Sequence, residues 1–256
     1  MSRDRTDLAA QMKAFEHVYR TTLAPGQYSV IRVDGRAFHT LLRNAEKPFD
    51  PGFMNSMGNV AALLCKEITG AVFAYLQSDE ISVLIADPNP QSQPWFGGVV
   101  QKQVSIAAAT ATMAFNDRHD ERTYGYGTFD ARVFTLPGIE EVMNYFIWRQ
   151  HDCIRNSISM AAQAHFGAKR LRSKNMAQMR EMLAEKGIVW DRYSDGIKLG
   201  RIMTRKSGER GSPFIDRRTG QETVVLAVRH WWEIEDAPYF TTAPGDWLAE
   251  NIPGLP

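Results

Sequence analysis

Two acidic loops carry the most informative chemistry in the sequence. Asp34-Gly35-Arg36 closes the β-branched run Tyr28 to Asp34, and Ser78-Asp79-Glu80 separates the apolar runs Ala71 to Gln77 and Ile81 to Ala86. Taken separately, Asp-Gly is a common turn and Ser-Asp-Glu an ordinary polar hairpin tip. At neighbouring strand ends, however, two carboxylates form the oxygen-donor set that Mg²⁺ takes alongside substrate phosphates. A pair of such ions stabilises both the attacking and the leaving oxygen of an in-line phosphoryl displacement. Gly35 permits close backbone approach, and the successive amides from Gly35 to His39 can form an anion nest. Arg36 and Lys47 add positive charge that phosphates would use.

Whether the loops meet depends on the elements that carry them. Tyr28 to Asp34 reads as a strand, and after Pro51-Gly52 the residues Met57, Val60, Ala61, Leu64 and Ile68 recur at helical spacing until Gly70. The two runs around Asp79 form a hairpin, ended by Asp87-Pro88-Asn89-Pro90. Val99 to Phe115 predicts a helix, Phe129 to Leu136 a strand, and Gly138 starts a long helix reaching about Phe166. The order β-α-β-β-α-β is the split ferredoxin-like pattern. It predicts an α+β fold, an antiparallel sheet with helices on one face and a helical or mixed extension behind it. In that topology the first strand lies beside a hairpin strand, which brings Asp34 close to Asp79. Further on, Asn175 to Lys186 predicts a helix, Ser207 to Gly220 a loop and Thr223 to Trp232 a late strand. Palm-type polymerases and nucleotide cyclases share this layout, so both remain open at this point.

Composition narrows the setting. The chain is 44% hydrophobic and 23% charged, with a net charge of +1, an ordinary balance for a folded domain. The charged start, Met1 to Lys13, lacks the apolar region of a signal peptide. No run approaches the roughly 18 apolar residues of a membrane span. Cys65 and Cys153 lie in apolar helical patterns and read as core thiols of a reducing compartment. The expectation is a cytoplasmic protein. Charge is uneven along the chain: residues 149–210 hold 14 basic and 6 acidic side chains. Such a block is either a solvated face or a surface for a polyanion. On the long helix, Arg149, Asp152, Asn156 and Ser159 recur as a polar stripe that can line a cleft, whereas Trp148 reads as core. His151, Cys153 and His165 lack zinc-site spacing.

The residues also resemble a known family. Arg32-Val33-Asp34-Gly35-Arg36-Ala37-Phe38-His39, then Lys47-Pro48-Phe49-Asp50, then Gln77-Ser78-Asp79-Glu80, are similar to motifs of the tRNA-histidine guanylyltransferases. Phe129-Asp130-Ala131-Arg132-Val133 and Trp148-Arg149-Gln150-His151-Asp152 continue the series in order, so the resemblance spans roughly residues 28 to 200. It implies a polymerase palm that adds nucleotides in the 3′-to-5′ direction at tRNA 5′ ends. It further implies two Mg²⁺ ions on Asp34 and Asp79, with the Gly35 carbonyl as an additional ligand. Asp34, Gly35, Arg36, Ala37, Phe38, His39, Lys47, Ser78 and Asp79 would contact a nucleoside triphosphate, ATP or GTP among them. Arg149, Asp152, Arg155, Asn156 and Lys174 are expected to meet tRNA, and a homotetramer is implied.

The departures point within the family. Where the histidine-specific branch has Asp-x-His-x-Asn-Asn, this chain has Asp152-Cys153-Ile154-Arg155-Asn156-Ser157. The Lys-Asn-Glu of that branch is Met179-Arg180-Glu181, and a basic cluster is reduced to Lys102. These changes resemble the like-protein branch, which repairs truncated 5′ ends against a template strand. The expected division is a catalytic palm over residues 1–137 and an extension over 138–256, with the basic block at 149–210 facing tRNA. Two other readings accompany this one. A nucleotide cyclase or signalling nucleotidyltransferase would use the same carboxylates without the basic block. A non-catalytic RNA-binding module would bind through aromatic residues on an open sheet.

Overall fold

The computed structural model describes residues 5–86, 93–118, 125–215, 217–218 and 220–255. Six strands form one antiparallel sheet: β1 (Tyr28–Gly35), β2 (Ala71–Gln77), β3 (Glu80–Ile85), β4 (Phe129–Leu136), β5 (Arg201–Ile215) and β6 (Glu222–Asp236), in the order β4-β1-β3-β2-β5-β6. The helices are α1 (Arg5–His17), α2 (Phe38–Leu41), α3 (Pro51–Glu67), α4 (Val100–Arg118), α5 (Ile139–His165), α6 (Ala168–Leu171), α7 (Met176–Glu185), α8 (Asp195–Lys198) and α9 (Trp247–Asn251). The first four strands, with α3 and α4, make the βαββαβ unit that the sequence predicts. The proposed hairpin stop at Asp87 to Pro90 lies outside the described residues.

Strand periodicity divides the core. Ile31 and Val33 of β1, Ala74 and Leu76 of β2, and Ile81 and Val83 of β3 point to one face, where they pack with Met57, Val60, Ala61 and Leu64 of α3 and Ala107, Ala111 and Phe115 of α4. Their sequence neighbours Val30, Phe73, Tyr75 and Leu84 point the other way, onto Val142, Met143 and Phe146 of α5. Both faces of the sheet are therefore buried over β1 to β3. Within the βαββαβ unit the helices keep to one face, as expected, and α5 of the extension covers the second. Consequently Arg32 and Asp34, in step with Val30, lie on the α5 face.

The extension also lengthens the sheet. Gln150, almost fully buried on α5, donates from Nε2 to the carbonyls of Leu199 (3.2 Å) and Pro238 (2.8 Å), and its Oε1 accepts from the Phe240 amide at 2.7 Å. One glutamine thus ties the long helix to the chain entering β5 and the chain leaving β6. Residues 207–215 correct the expected loop: they are strand, paired residue by residue with 222–230 of β6. Gly208, Gly211, Ser212 and Pro213 disguise the strand in the sequence. Pairing with the β-branched run of β6 imposes it, and at a sheet edge Pro213 is tolerated. Trp148 is a second correction, being 55% exposed beside Arg149. A capping box starts α7, the helix predicted over Asn175 to Lys186, with Asn175 and Gln178 bonding reciprocally at 2.9 and 3.1 Å. Helix α1 has no forerunner in the sequence reading.

Candidate active site

The sheet register sets Asp34 opposite Glu80 on one side and opposite Asp130 on the other. Beyond Gln77 and Glu80 the β2–β3 hairpin turns through Ser78 and Asp79, and the Gly35 amide donates to the Asp79 carbonyl at 3.1 Å. The two acidic loops, 45 residues apart in sequence, are thereby joined by a backbone hydrogen bond. Each contains a non-glycine residue in the left-handed region, Ala37 (φ 56°) and Ser78 (φ 48°). Strained backbone of this kind persists where surrounding structure enforces it, and it concentrates at functional sites. After Asp34 the chain is held by the Arg36 amide on the Thr128 carbonyl (2.8 Å) and by the Thr40 amide on Ala37 (2.9 Å). The amides of Ala37, Phe38 and His39 find no acceptor among the described residues.

Phe38 is the anchor of this turn. Its ring is buried against Phe53, Phe115 and Phe129, with centroids 5.0 to 5.9 Å apart. A Cβ on Gly35 would stand 2.6 Å from Phe38 Cγ, so only glycine lets strand and ring approach this closely. Gly35→Ala should therefore displace the Asp34 loop. We expect a loss of about 1–3 kcal/mol in chemical denaturation and a fall of roughly a hundredfold in turnover, the scale of an ångström-level misplacement.

The electrostatics of the two carboxylates are unusual. Burial pushes the Asp34 carboxyl above its ordinary range, and the nearby Asp130 carboxylate adds to that; Arg132, Arg32 and Arg149 act in the opposite sense. Burial likewise raises Asp79, and repulsion from Asp34 and Glu80 outweighs part of the relief that its hydrogen bonds to its own backbone and Ser78 bring. Neither aspartate forms a salt bridge with a protein cation among the described residues. Two desolvated, mutually repelling carboxylates with unspent oxygen lone pairs are a donor set suited to a hard divalent cation.

Beneath them lies a buried charge network. Arg149, 7% exposed, donates from Nε and Nη2 to both Glu80 oxygens at 2.8 Å and from Nη2 to Asp152 at 2.9 Å. Arg32 Nε lies 3.8 Å from Glu80, and the Tyr145 and Ser82 hydroxyls share a hydrogen bond of 2.8 Å nearby. Of the five residues expected to meet tRNA, Arg149 is thus committed to protein carboxylates and fixes the hairpin to α5. Asp152 accepts from Arg149, Arg155 and Asn156, while Arg155, Asn156 and Lys174 are exposed. Glu80 and Arg32 escaped the sequence reading as working residues. The available signal was their position: polar groups at even steps of strands whose every other residue is apolar.

Two cavities meet here. An open cleft of about 350 Å³ is lined by Asp34, Asp79 and Glu80 from the sheet and by Arg149, Asp152, Asn156 and Ser159 from one stripe of α5. Next to it is a largely apolar pocket walled by Ala45, Lys47, Pro48, Phe49, Phe53 and Ile197. Gln77, Ser78, Asn156 and Met160 border both. Lys47 is held at the pocket mouth by its ammonium on the Leu42 carbonyl (2.8 Å), and Asp50 caps α3 by accepting from Phe53 N (2.9 Å). Arg36 and His39 are exposed at the cleft-side turn. An acidic cleft continuous with an apolar slot matches a ligand with a charged tail and a flat apolar head.

A βαββαβ sheet with paired carboxylates at its central strand ends, joined to such a slot, is the layout that palm-type polymerases and nucleotide cyclases share. Comparisons with known proteins agree. The family model described as Thg1, tRNAHis guanylyltransferase, matches residues 9–137, and the chain belongs to this family. A solved bacterial tRNA(His) guanylyltransferase (Thg1)-like protein in complex with ATP is 33% identical, with 91% of this chain and 93% of that one covered and a TM-score of 0.78. A GTP complex of such a protein follows at 32% identity and a TM-score of 0.74, over the same shares of the two chains. The tRNA(His) guanylyltransferase of Debaryomyces hansenii is 28% identical over 76% of this chain and 79% of its own length. Protein R259 of Acanthamoeba polyphaga mimivirus is 28% identical over 77% and 76%. The protein is a nucleotidyltransferase, and the reading as a non-catalytic RNA-binding module is set aside. Among the described residues no helix is long and apolar enough to cross a membrane.

Proposed function

We propose that the protein adds nucleotides in the 3′-to-5′ direction to tRNA 5′ ends, under the direction of a template strand. The observation that carries the reading is the pair of desolvated carboxylates without a salt-bridge partner among the described residues, Asp34 and Asp79, in a cleft that borders an apolar slot. Asp34 and Asp79, with the Gly35 carbonyl, would hold two Mg²⁺ ions. Bound there, the ions supply charge neutralisation and Lewis acidity at the reacting phosphates. The remaining chemistry falls to the chain and its substrates. The amides of Ala37 to His39, with Arg36 and Ser78, hold the triphosphate of ATP or GTP, and the base enters the slot beside Lys47. A tRNA 5′-monophosphate attacks the α-phosphate of ATP and releases pyrophosphate, which gives a 5′-adenylylated end. The 3′-hydroxyl of the incoming nucleotide then attacks that end and displaces AMP. A 5′-triphosphorylated end enters directly at the second step, losing pyrophosphate.

The templated form of the reaction rests on Ile154, Met179 and Arg180 standing where the histidine-specific branch has other residues. The solved ATP and GTP complexes of bacterial relatives support the nucleotide site. For tRNA we retain Arg155, Asn156 and Lys174 as contacts, with Asp152 orienting the first two. Arg155→Ala should weaken tRNA binding and lower the slope of log affinity against log salt by about 1; an unchanged slope would remove Arg155 from the interface. Work in the cytoplasm as a tetramer completes the proposal. Assembly is supported by α1, exposed over residues 7–17, whose Leu8, Met12 and Phe15 form an uncovered apolar stripe.

The test offers purified protein, Mg²⁺ and all four nucleoside triphosphates to a 5′-truncated tRNA and to full-length histidine tRNA. Extension of the truncated RNA that stops at a complete acceptor stem is the expected result. A single G on the histidine tRNA alone would instead restore guanylyltransferase specificity, and no extension of either would overturn the proposal.

A further inference from the structure

Gln77 is the last residue of β2 and only 5% exposed, yet its side-chain oxygen Oε1 has no hydrogen-bond partner within the protein. Its Nε2 donates to Glu80 Oε1 at 3.3 Å, and Glu80 is in turn clamped by Arg149. The amide's orientation follows from that arrangement: Nε2 must face the carboxylate, because reversing the amide would set Oε1 against Glu80. The bare oxygen is a consequence of the charge network and not a free choice of rotamer. A buried acceptor left unpaired is costly, and such groups in native proteins call for an explanation.

Position supplies one. Gln77 borders both the acidic cleft and the apolar slot. A nucleotide with its base in the slot and its phosphates in the cleft must lay its sugar across this border. The group a ribose presents there is a hydroxyl, and a hydroxyl is the donor that Oε1 lacks. We infer that Gln77 Oε1 accepts a hydrogen bond from a ribose hydroxyl of the bound nucleoside triphosphate, making Gln77 the residue that distinguishes ribonucleotides from deoxyribonucleotides. This rests on the nucleotide-site reading above. Sites that hydrogen-bond a substrate hydroxyl reject the analogue lacking it, since their own buried polar group is then left unpaired.

The experiment is calorimetric titration of the wild-type protein with ATP, 2′-deoxyATP and 3′-deoxyATP in Mg²⁺, repeated with Gln77→Met. Methionine keeps the side-chain length and removes the amide. In the wild type, loss of the recognised hydroxyl should weaken binding about tenfold, the scale of one neutral hydrogen bond, and the weaker analogue names the hydroxyl. In Gln77→Met the ATP affinity should fall to that of the analogue, so that the ratio collapses to about one. A purely structural role would lower all three affinities together and leave the ratio intact. If the wild type binds ATP and both analogues equally, the inference fails without any variant. Loss of ATP binding by the wild type itself would instead overturn the nucleotide site on which the inference rests.

Discussion

Asp79→Asn is expected to abolish nucleotide addition, by about a thousandfold or more, while leaving the melting temperature unchanged or raised. The first half follows from the loss of several kcal/mol of charge stabilisation at the reacting phosphates. The second follows from what the carboxylate does to the fold. Burial and the neighbouring Asp34 and Glu80 charges hold Asp79 above its ordinary range, so its ionised form opposes folding near neutral pH. A neutral amide of the same shape removes that opposition. Asp34→Asn should behave alike, because burial and Asp130 raise it too. Asp130→Asn is the informative contrast. Asp130 is exposed and paired with Arg132 at 3.1 Å, so its replacement should leave turnover within about tenfold. Steady-state addition assays together with thermal melts of the three variants decide the matter. Equal losses in all three would mean that the acidic cluster acts as a whole and that the pair has no special role.

The other large effect is expected at Arg149. Arg149→Ala strands Glu80, which is 7% exposed, as a buried carboxylate with its bidentate partner gone. Removing one member of a buried ion pair typically costs about 3–5 kcal/mol, a large part of the stability of an ordinary domain. Arg149→Leu combined with Glu80→Leu should recover much of that loss, since two apolar groups leave no uncompensated charge. The double variant should fold and yet still be slow, because nothing then fixes the hairpin carrying Asp79 to α5. Urea denaturation of the two single variants and the double closes the cycle. A double variant as unstable as the sum of the singles would show the network contributing little beyond packing.

These two expectations separate what sequence and tertiary structure each decide. The strands, the order β-α-β-β-α-β and the acidic loops could be read directly, because hydrophobic periodicity of 2 and 3.6 and Gly/Asp punctuation are local properties. The turn after Asp34 could be placed as well, since Asp-Gly is a local turn signal. Even the cleft stripe on α5 could be, as Arg149, Asp152, Asn156 and Ser159 fall at helical spacing. Arg149's occupation was beyond local reading. A cation in a basic block looks like a phosphate contact until its partner is known, and Glu80 lies 69 residues away. The glycine- and proline-bearing half of β5 failed for a similar reason: its conformation is imposed by the β6 ladder against its own propensity. Trp148 was misplaced because an aromatic on a helix carries no local mark of whether its face is covered. The sequence by itself determined the elements and the chemical groups at their ends. Only tertiary structure decided which charges neutralise one another and which remain unpaired. Pairing across the fold is a property of distance in space, and burial sets how strongly each unpaired group must be answered.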